Sequence, residues 1–130
     1  MAGDTVMFID REYTRDEIYD LVGGGSKQSY LPTLKGVVLA ACLRKDRNPD
    51  APEVILCGQG PIIVASGTAL ATQRNPIPVF VKIATKRWKF HGYFTAKASY
   101  TSGPRFNKIV RDSGRRDVSR VIELIASAAI

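Results

Sequence analysis

Two strand-like patterns separated by a short basic turn occupy residues 78–97, and they limit the fold more than any other stretch. In residues 78–83, Val79, Val81 and Ile83 recur at every second position, which is the period of a half-buried strand. In residues 88–97 the alternation continues, with positions 88, 90 and 92 on one face and a basic, aromatic set of Lys89, His91 and Tyr93 on the other. The pattern predicts a β-hairpin or a tight meander that turns at positions 86 and 87.

A glycine turn precedes this pair of strands. The sequence Leu-Cys-Gly-Gln-Gly-Pro at 56–61 interrupts an apolar run, and the small residues at 68–72 fit either one helical turn or a bulged strand. A small β-barrel with a polar, glycine-lined mouth would produce this order, and so would other β folds.

A short helix is predicted over residues 15–22. Thr14 can cap it, and Glu17 stands three residues further on, as a capping box requires. Glycines at 23–25 end the helix. The loop that follows, up to residue 32, is rich in hydroxyl and amide groups. It fits a flexible linker, or a loop whose N–H groups approach a phosphate or a base.

The first half of the chain offers three further strand candidates. Residues 36–43 form a continuous apolar run, which predicts a strand buried on both faces. A charged turn at 44–52 separates it from residues 53–57, and the two runs are expected to form a hairpin-like pair. Residues 5–9 are β-prone and predict an edge strand or the packed start of the domain.

The last third is polar and basic until its final segment. Residues 99–116 predict a long loop around a short strand at 106–110. Residues 118–126 fit a terminal helix or a closing strand, and their apolar spacing favours the helix. Six or seven strands with one short helix predict a β-rich domain, for which a barrel is the favoured architecture.

Positive charge is concentrated in the second part of the chain. Residues 1–81 carry 8 Lys and Arg against 9 Asp and Glu, whereas residues 82–130 carry 11 against 3. This asymmetry favours a polyanionic partner over a merely solubilising surface, and nucleic acid is the leading candidate.

Length and cysteine content indicate an ordinary reduced protein. The 130 residues suffice for a single domain. Cys42 and Cys57 both lie in apolar runs and are expected to be buried free thiols, although a bond between them stays open. We find neither a signal-peptide pattern nor an apolar run long enough to span a bilayer, so a cytoplasmic location is expected.

Catalytic motifs are sparse. His91 is the sole histidine, and no carboxylate stands near it in sequence to complete an acid–base pair. The chain contains no phosphate-binding Gly-x-x-x-x-Gly-Lys-Ser/Thr loop, no dinucleotide motif and no Cys-x-x-Cys pair. Nucleic-acid binding requires less, namely cations for phosphates and aromatic rings for bases, and residues 82–93 contain both. Trp88 and Phe90 also suit a barrel core, which is the commoner role for such residues.

The ordered motifs resemble the SRA-like, YDG-type domain of McrA-type, methylation-dependent restriction proteins. The resemblance covers about residues 12–126. It rests on these elements: Tyr13-x-Arg15 before the helix, Gly24-Gly25 after it, the Ser/Gln loop, the strand ending near Leu43, Leu56-x-Gly58-Gln59-Gly60, Gly67-Thr68-Ala69-Leu70, Val79-Phe80 and Gly92-Tyr93-Phe94. Leu56 replaces an aromatic residue of the family, Gln59 replaces an acid, and Thr68 replaces an asparagine. Asp46 and Asp50 lie near the family's acidic position.

The resemblance implies a PUA-like β-barrel with one or two short helices, in which residues 118–126 form a closing strand. It further implies a reader that flips a modified cytosine, most simply 5-methylcytosine, out of double-stranded DNA. The base-pocket candidates are Arg15, Ser26, Gln28, Tyr30 and Gln59. The candidates for DNA phosphates are Lys82, Lys86, Arg87, Lys89 and Arg105.

No catalytic residue, metal or cofactor is expected. The family's restriction members carry a separate nuclease domain. This sequence supplies none, so the expectation is a stand-alone reader or a fragment of a larger enzyme, and the Met1 start favours the stand-alone reader. When bound to DNA it is expected to be associated with the nucleoid. Three alternatives stay open: a PUA-like domain that binds RNA, a small DNA-processing enzyme such as a glycosylase or nuclease, and an interaction module for an acidic protein.

Overall fold

The computed structural model describes residues 6–127. The elements in chain order are β1 (Glu12–Tyr13), α1 (Arg15–Val22), β2 (Thr33–Leu34), β3 (Val37–Val38), β4 (Ala41–Arg44), β5 (Val54–Cys57), α2 (Pro61–Thr72), β6 (Ile77–Ala84), β7 (Arg87–Tyr100), α3 (Pro104–Ser113) and β8 (Arg120–Ser127). The architecture is mixed α+β with a core that is mostly sheet, as predicted.

Six strands form the main sheet. Five follow the order β4-β6-β7-β8-β5, and β1 pairs with the start of β7. All pairs are antiparallel except β4 with β6. The 14-residue β7 is the central strand, because it pairs with β6, β1 and β8 along its length. The predicted hairpin at 78–97 is confirmed as β6 and β7.

The two faces of the sheet bury separate clusters. Val79 and Val81 of β6 pack into the cluster that also contains Leu70 of α2. Phe80, between them, packs on the opposite side with Ile18 of α1 and with Trp88. This period-two division is what the spacing of β6 predicts. A third, smaller cluster lies beneath α3.

The first helix forms as the sequence predicts. The Thr14 hydroxyl accepts from the Glu17 N–H at 3.1 Å, and the Glu17 carboxylate accepts from the Thr14 N–H at 2.8 Å. Gly23 ends the helix in the left-handed conformation, with φ of 90°.

Several predictions are wrong. The segment 61–72 is a three-turn helix, α2. The segment 99–116, for which a loop with a short strand was expected, is largely the helix α3. Residues 6–127 therefore contain three helices instead of one or two. The runs 36–43 and 53–57 are not a hairpin, since β4 pairs with β6 and β5 with β8. Residues 6–9 form no strand, and residue 5 lies outside the described part. The closing strand implied by the resemblance is confirmed as β8, against the helix that spacing favoured.

Candidate nucleic-acid interface

A row of registered residues crosses three strands beside a cavity of about 560 Å³. Arg44 on β4 is paired with Lys82 on β6, and Lys82 is paired with Trp88 on β7. Registered neighbours project from the same face of a sheet. All three residues line this cavity of about 560 Å³. This volume is within the range of small-ligand sites, roughly 300–1,000 Å³.

The lining of this cavity, hereafter the basic cavity, is strongly cationic. No aspartate or glutamate lines it. Its cationic members are Arg15, Lys27, Arg44, Arg47, Lys82 and Arg115. The remaining lining residues are Gln28, Ser29, Tyr30, Cys42, Asn48, Leu56, Gly58, Ile63 and Trp88.

Four of the six cations form ion pairs with carboxylates outside the lining. Lys27 pairs with Asp16 at 3.2 Å and Arg44 with Asp46 at 2.7 Å. Arg47 and Arg115 both pair with Asp117, each at 3.0 Å. Arg15 and Lys82 make no ion pair with any carboxylate in residues 6–127.

Arg15 shapes the polar loop that borders the cavity. It is the first residue of α1, and its Nη2 donates to the carbonyl oxygens of Ser26 and Ser29, both at 2.9 Å. The Ser26 hydroxyl in turn accepts from the N–H groups of Gln28 and Ser29. Gly25 is required at φ of 80°, since an added Cβ would lie 2.8 Å from Pro32. The loop is therefore held against the cavity and is not a free linker.

Tyr30 connects the loop to α2. Its hydroxyl donates to the carbonyl of Ile63 at 2.7 Å, and burial raises the pKa of this phenol, so that it stays a donor at neutral pH. Gly67 lets α2 approach this point closely: an added Cβ would lie 2.7 Å from Cys57 Sγ and 3.2 Å from Tyr30 Oη. Cys42 and Cys57 are both free and buried, as predicted. Burial raises the pKa of the Cys42 thiol to about 12.

Asn48 and Arg115 hold another part of the wall of the basic cavity. Asn48 is buried; its Oδ1 accepts from the Leu56 N–H at 2.8 Å, and its Nδ2 donates to the Arg44 carbonyl at 3.3 Å. Arg115 donates to the carbonyl oxygens of Leu56 and Arg47. Its bidentate contact with the Asp117 carboxylate lowers the pKa of that group to about 2. These contacts fix the charged turn that begins at Arg44.

The predicted base-pocket residues fall into two groups. Arg15, Gln28 and Tyr30 line the basic cavity. Ser26 is not in the lining and instead holds the loop through its hydroxyl. Gln59 is exposed on the turn before α2 and is not in the lining either.

Of the predicted phosphate ligands, Lys82 alone lines the cavity. Arg87 pairs with Glu12 at 2.6 Å, Lys89 with Asp10 at 3.5 Å, and Arg105 with Glu123. Lys86 is exposed in the β6–β7 turn, with φ of 60°.

Sequence reasoning missed Lys27, Arg44, Arg47 and Arg115. From sequence alone the charged turn 44–52 predicts only a connection between strands, although its cations follow the end of a β-strand. The two acidic candidates also lie outside the lining: Asp46 pairs with Arg44, and Asp50 borders a smaller cavity beside α3.

His91 lies away from the cavity. Burial, and after it the charge of Lys89, lowers the pKa of its imidazole, so the ring is neutral at pH 7. Between residues 6 and 127, no group of three or more His, Cys, Asp or Glu side chains could hold a metal ion. In the same range, no helix has the length and apolar character needed to cross a membrane.

The arrangement defines a mixed α+β fold with a cationic cavity beside a central sheet, and solved structures show which fold it is. One is the SUVH5 SRA domain in complex with hemi-methylated CG DNA, with a TM-score of 0.59, 19% identity, and coverage of 96% of this chain and 93% of that one. Another is the SUVH5 SRA domain in complex with methylated CHH DNA, with a TM-score of 0.57, 17% identity and coverage of 95% and 96%. No family model matches the sequence, and no curated protein matches it. The chain has the SRA fold, which confirms the fold that the sequence resemblance implied.

Proposed function

We propose that this protein is a reader of methylated cytosine in double-stranded DNA. The observation that carries the proposal is a cavity of about 560 Å³, lined by six cations and by Trp88 and Tyr30, in a chain with the SRA fold. The comparisons support this proposal, because both solved SRA structures described above are complexes with methylated DNA.

The proposed mechanism is base flipping into the basic cavity. Extruding a stacked cytosine costs a few kcal/mol. Contacts of the phosphate backbone with surrounding cations, and packing of the base against aromatic and apolar lining residues, offset that cost. Methylation adds apolar area to the base, and burying one methyl-sized group contributes about 0.8 kcal/mol.

Individual roles follow from position. Gln28 and Ser29 offer hydrogen bonds to a base edge, and Tyr30 offers an aromatic wall. Arg15 braces the loop through its bonds to Ser26 and Ser29. Gln59 is assigned a place at the rim, next to α2.

The phosphate contacts are proposed to extend outward from the cavity. Arg44 and Arg47, which the sequence did not single out, border it together with Lys82. The other proposed phosphate contacts lie on the surrounding surface and are Lys86, Arg87, Lys89 and Arg105.

We further propose that residues 1–130 act as a single binding domain without catalysis. The reason is chemical: the sole histidine lies outside the cavity, and no carboxylate lines it to act as a general base.

The test is a binding titration with two duplexes that differ only by 5-methylcytosine, at two salt concentrations. A preference for the methylated duplex that persists at the higher salt supports a base pocket, because salt weakens phosphate contacts far more than contacts with a buried base. Equal affinities that both collapse with salt would contradict the proposal, and tighter binding of an RNA duplex would favour the RNA alternative.

A pair of glutamine variants locates the pocket. Gln28→Ala should reduce the preference for the methylated duplex, because Gln28 lines the cavity. Gln59→Ala removes the same side chain outside the lining and should leave most of the preference intact. The reverse result would place the base at the turn before α2.

A further inference from the structure

Two of the six cations in the basic cavity differ from the rest. Arg15 and Lys82 have no carboxylate partner in residues 6–127, and both contact the same ring. The Arg15 guanidinium lies 5.2 Å from the centre of the Trp88 ring, and the Lys82 ammonium lies 5.7 Å from it. Trp88 is 7% exposed, so both charges lie against a largely buried surface.

The Arg15 side chain has an unused donor. Its Nη2 donates twice to the loop, but Nε is buried and has no hydrogen-bond partner. An unpaired buried donor is costly, and more so on a charged group, so it calls for an explanation. Because Nε is closed off from the cavity, a ligand would reach this side chain through Nη1, which makes no hydrogen bond within residues 6–127.

Lys82 carries a second cost. Its registered neighbour on β4 is Arg44, and like charges side by side in a sheet destabilise it. Asp46 compensates Arg44 at 2.7 Å but makes no bond to Lys82. A bound anion would relieve this repulsion.

The lining offers no anionic acceptor. No carboxylate is present, and the amide oxygen of Asn48 is already bonded to the Leu56 N–H. A methyl group on cytosine therefore leaves Arg15 and Lys82 without an anionic partner. An anionic oxygen substituent would supply one.

We propose that the cavity prefers a flipped base that carries a carboxylate, 5-carboxylcytosine, over one that carries a methyl group, with Arg15 and Lys82 as the anion ligands. This inference rests on the proposed function, since the substituent reaches the cavity only if the base is extruded. It replaces the phosphate contact proposed above for Lys82 with a contact to the base substituent.

The experiment measures the affinity of the full chain for four duplexes that differ at one cytosine: unmodified, 5-methyl, 5-hydroxymethyl and 5-carboxyl. Charge-assisted hydrogen bonds contribute enough to expect about tenfold tighter binding of the carboxyl duplex than of the methyl duplex. Lys82→Met should remove most of this gain, and Lys82→Arg, which keeps the cation, should retain it. Lys97→Met is the matched control, because Lys97 is exposed on β7 and is not in the lining.

The outcomes separate the two proposals. If the methyl duplex binds more tightly than both the unmodified and the carboxyl duplex, the reader function stands and the carboxylate preference is wrong. If none of the four is distinguished, both are wrong. If Lys82→Met weakens all four duplexes equally, Lys82 contacts a phosphate, and its assignment to the base substituent is overturned. A carboxyl preference that survives Lys82→Met also overturns it.

Discussion

Arg44 and Lys82 are registered partners on the parallel strands β4 and β6, and both line the basic cavity. Two cations at neighbouring positions of paired strands repel each other, so a sheet optimised only for stability would rarely contain such a pair. The pair is instead arranged as a binding surface would be, at a cost to the unbound protein.

Replacement of Lys82 by methionine should therefore stabilise the free protein while it weakens DNA binding. Relief of the repulsion from Arg44 is expected to raise the free energy of unfolding by about 0.2–1 kcal/mol at low salt. The slope of log affinity against log salt should fall by about one if Lys82 contacts a phosphate. Urea denaturation and salt titrations measure the two effects. A lower free energy of unfolding for Lys82→Met, together with an unchanged value for Lys97→Met, would contradict the predicted relief of repulsion.

Replacement of Gly67 by alanine should destabilise the packing of α2 on β5. The new Cβ would lie 2.7 Å from the fully buried Cys57 Sγ, and overpacking of this kind costs about 1–3 kcal/mol. The higher helix propensity of alanine returns up to about 1 kcal/mol, so a net loss of about 1–2 kcal/mol is expected. Thermal or urea unfolding measures it.

Two controls test the cause of that loss. Thr68→Ala changes an exposed position of the same helix and should alter stability by less than about 0.5 kcal/mol. In a Cys57→Ala background the thiol is absent, and Gly67→Ala should cost much less. Equal costs in both backgrounds would show that the contact with Cys57 is not responsible.

The stability of the protein should depend on pH through Asp117. Arg115 lowers the pKa of this carboxyl to about 2 in the folded state, below the value of about 3.9 in an unfolded chain. Its contribution is therefore complete above about pH 4 and is lost as the pH falls through about 2. Because the side chain is 43% exposed, the contribution should stay below about 1 kcal/mol.

Asp117→Asn isolates this contribution from those of other carboxyls. The difference in unfolding midpoint between the wild type and Asp117→Asn should shrink between pH 5 and pH 2. A difference that stays constant over this range would show that the carboxylate form of Asp117 does not stabilise the fold.

Replacement of Asn48 by alanine should lower the free energy of unfolding, because Asn48 supports the wall of the basic cavity. The buried Leu56 N–H would lose its acceptor, at a cost of about 1–3 kcal/mol. Hydrogen exchange at the Leu56 amide should accelerate along with the drop in stability. Asn75→Ala, at an exposed position, is the matched control. Unchanged exchange at Leu56 would mean that another group accepts its hydrogen bond.

Local patterns in the sequence were sufficient for β6, β7 and α1, because each is specified by nearby residues: period-two alternation in the strands and the Thr14–Glu17 box in the helix. The helix α2 was missed, since its Pro-Ile-Ile-Val start has no polar cap and its buried members include only Ser66, Gly67 and Leu70. Contacts with the sheet specify it. The signal for α3 was present in Pro104 and Gly114, at its first position and just beyond its end.

Only some of the residues that line the candidate site could be predicted from the sequence, because pairing between distant strands brings the others there. Arg15, Gln28, Tyr30 and Lys82 were selected from composition and resemblance. The contribution of Arg44, Arg47 and Arg115 depends on pairings between distant strands, since β4 lies beside β6 and not beside β5. No local window of sequence contains that information.

The walls of the basic cavity come from five separate parts of the chain: α1 with the loop after it, β4 with the turn after it, the end of β5 with the start of α2, the β6–β7 pair, and Arg115 after α3. Arg115 bonds back across 59 residues to Leu56. No isolated peptide from this chain would reproduce the recognition surface, and a refolding molecule would acquire it only when its most distant segments have assembled. Regain of ligand binding after dilution from denaturant is then a late event, and it reports on completed assembly more faithfully than the return of secondary structure does.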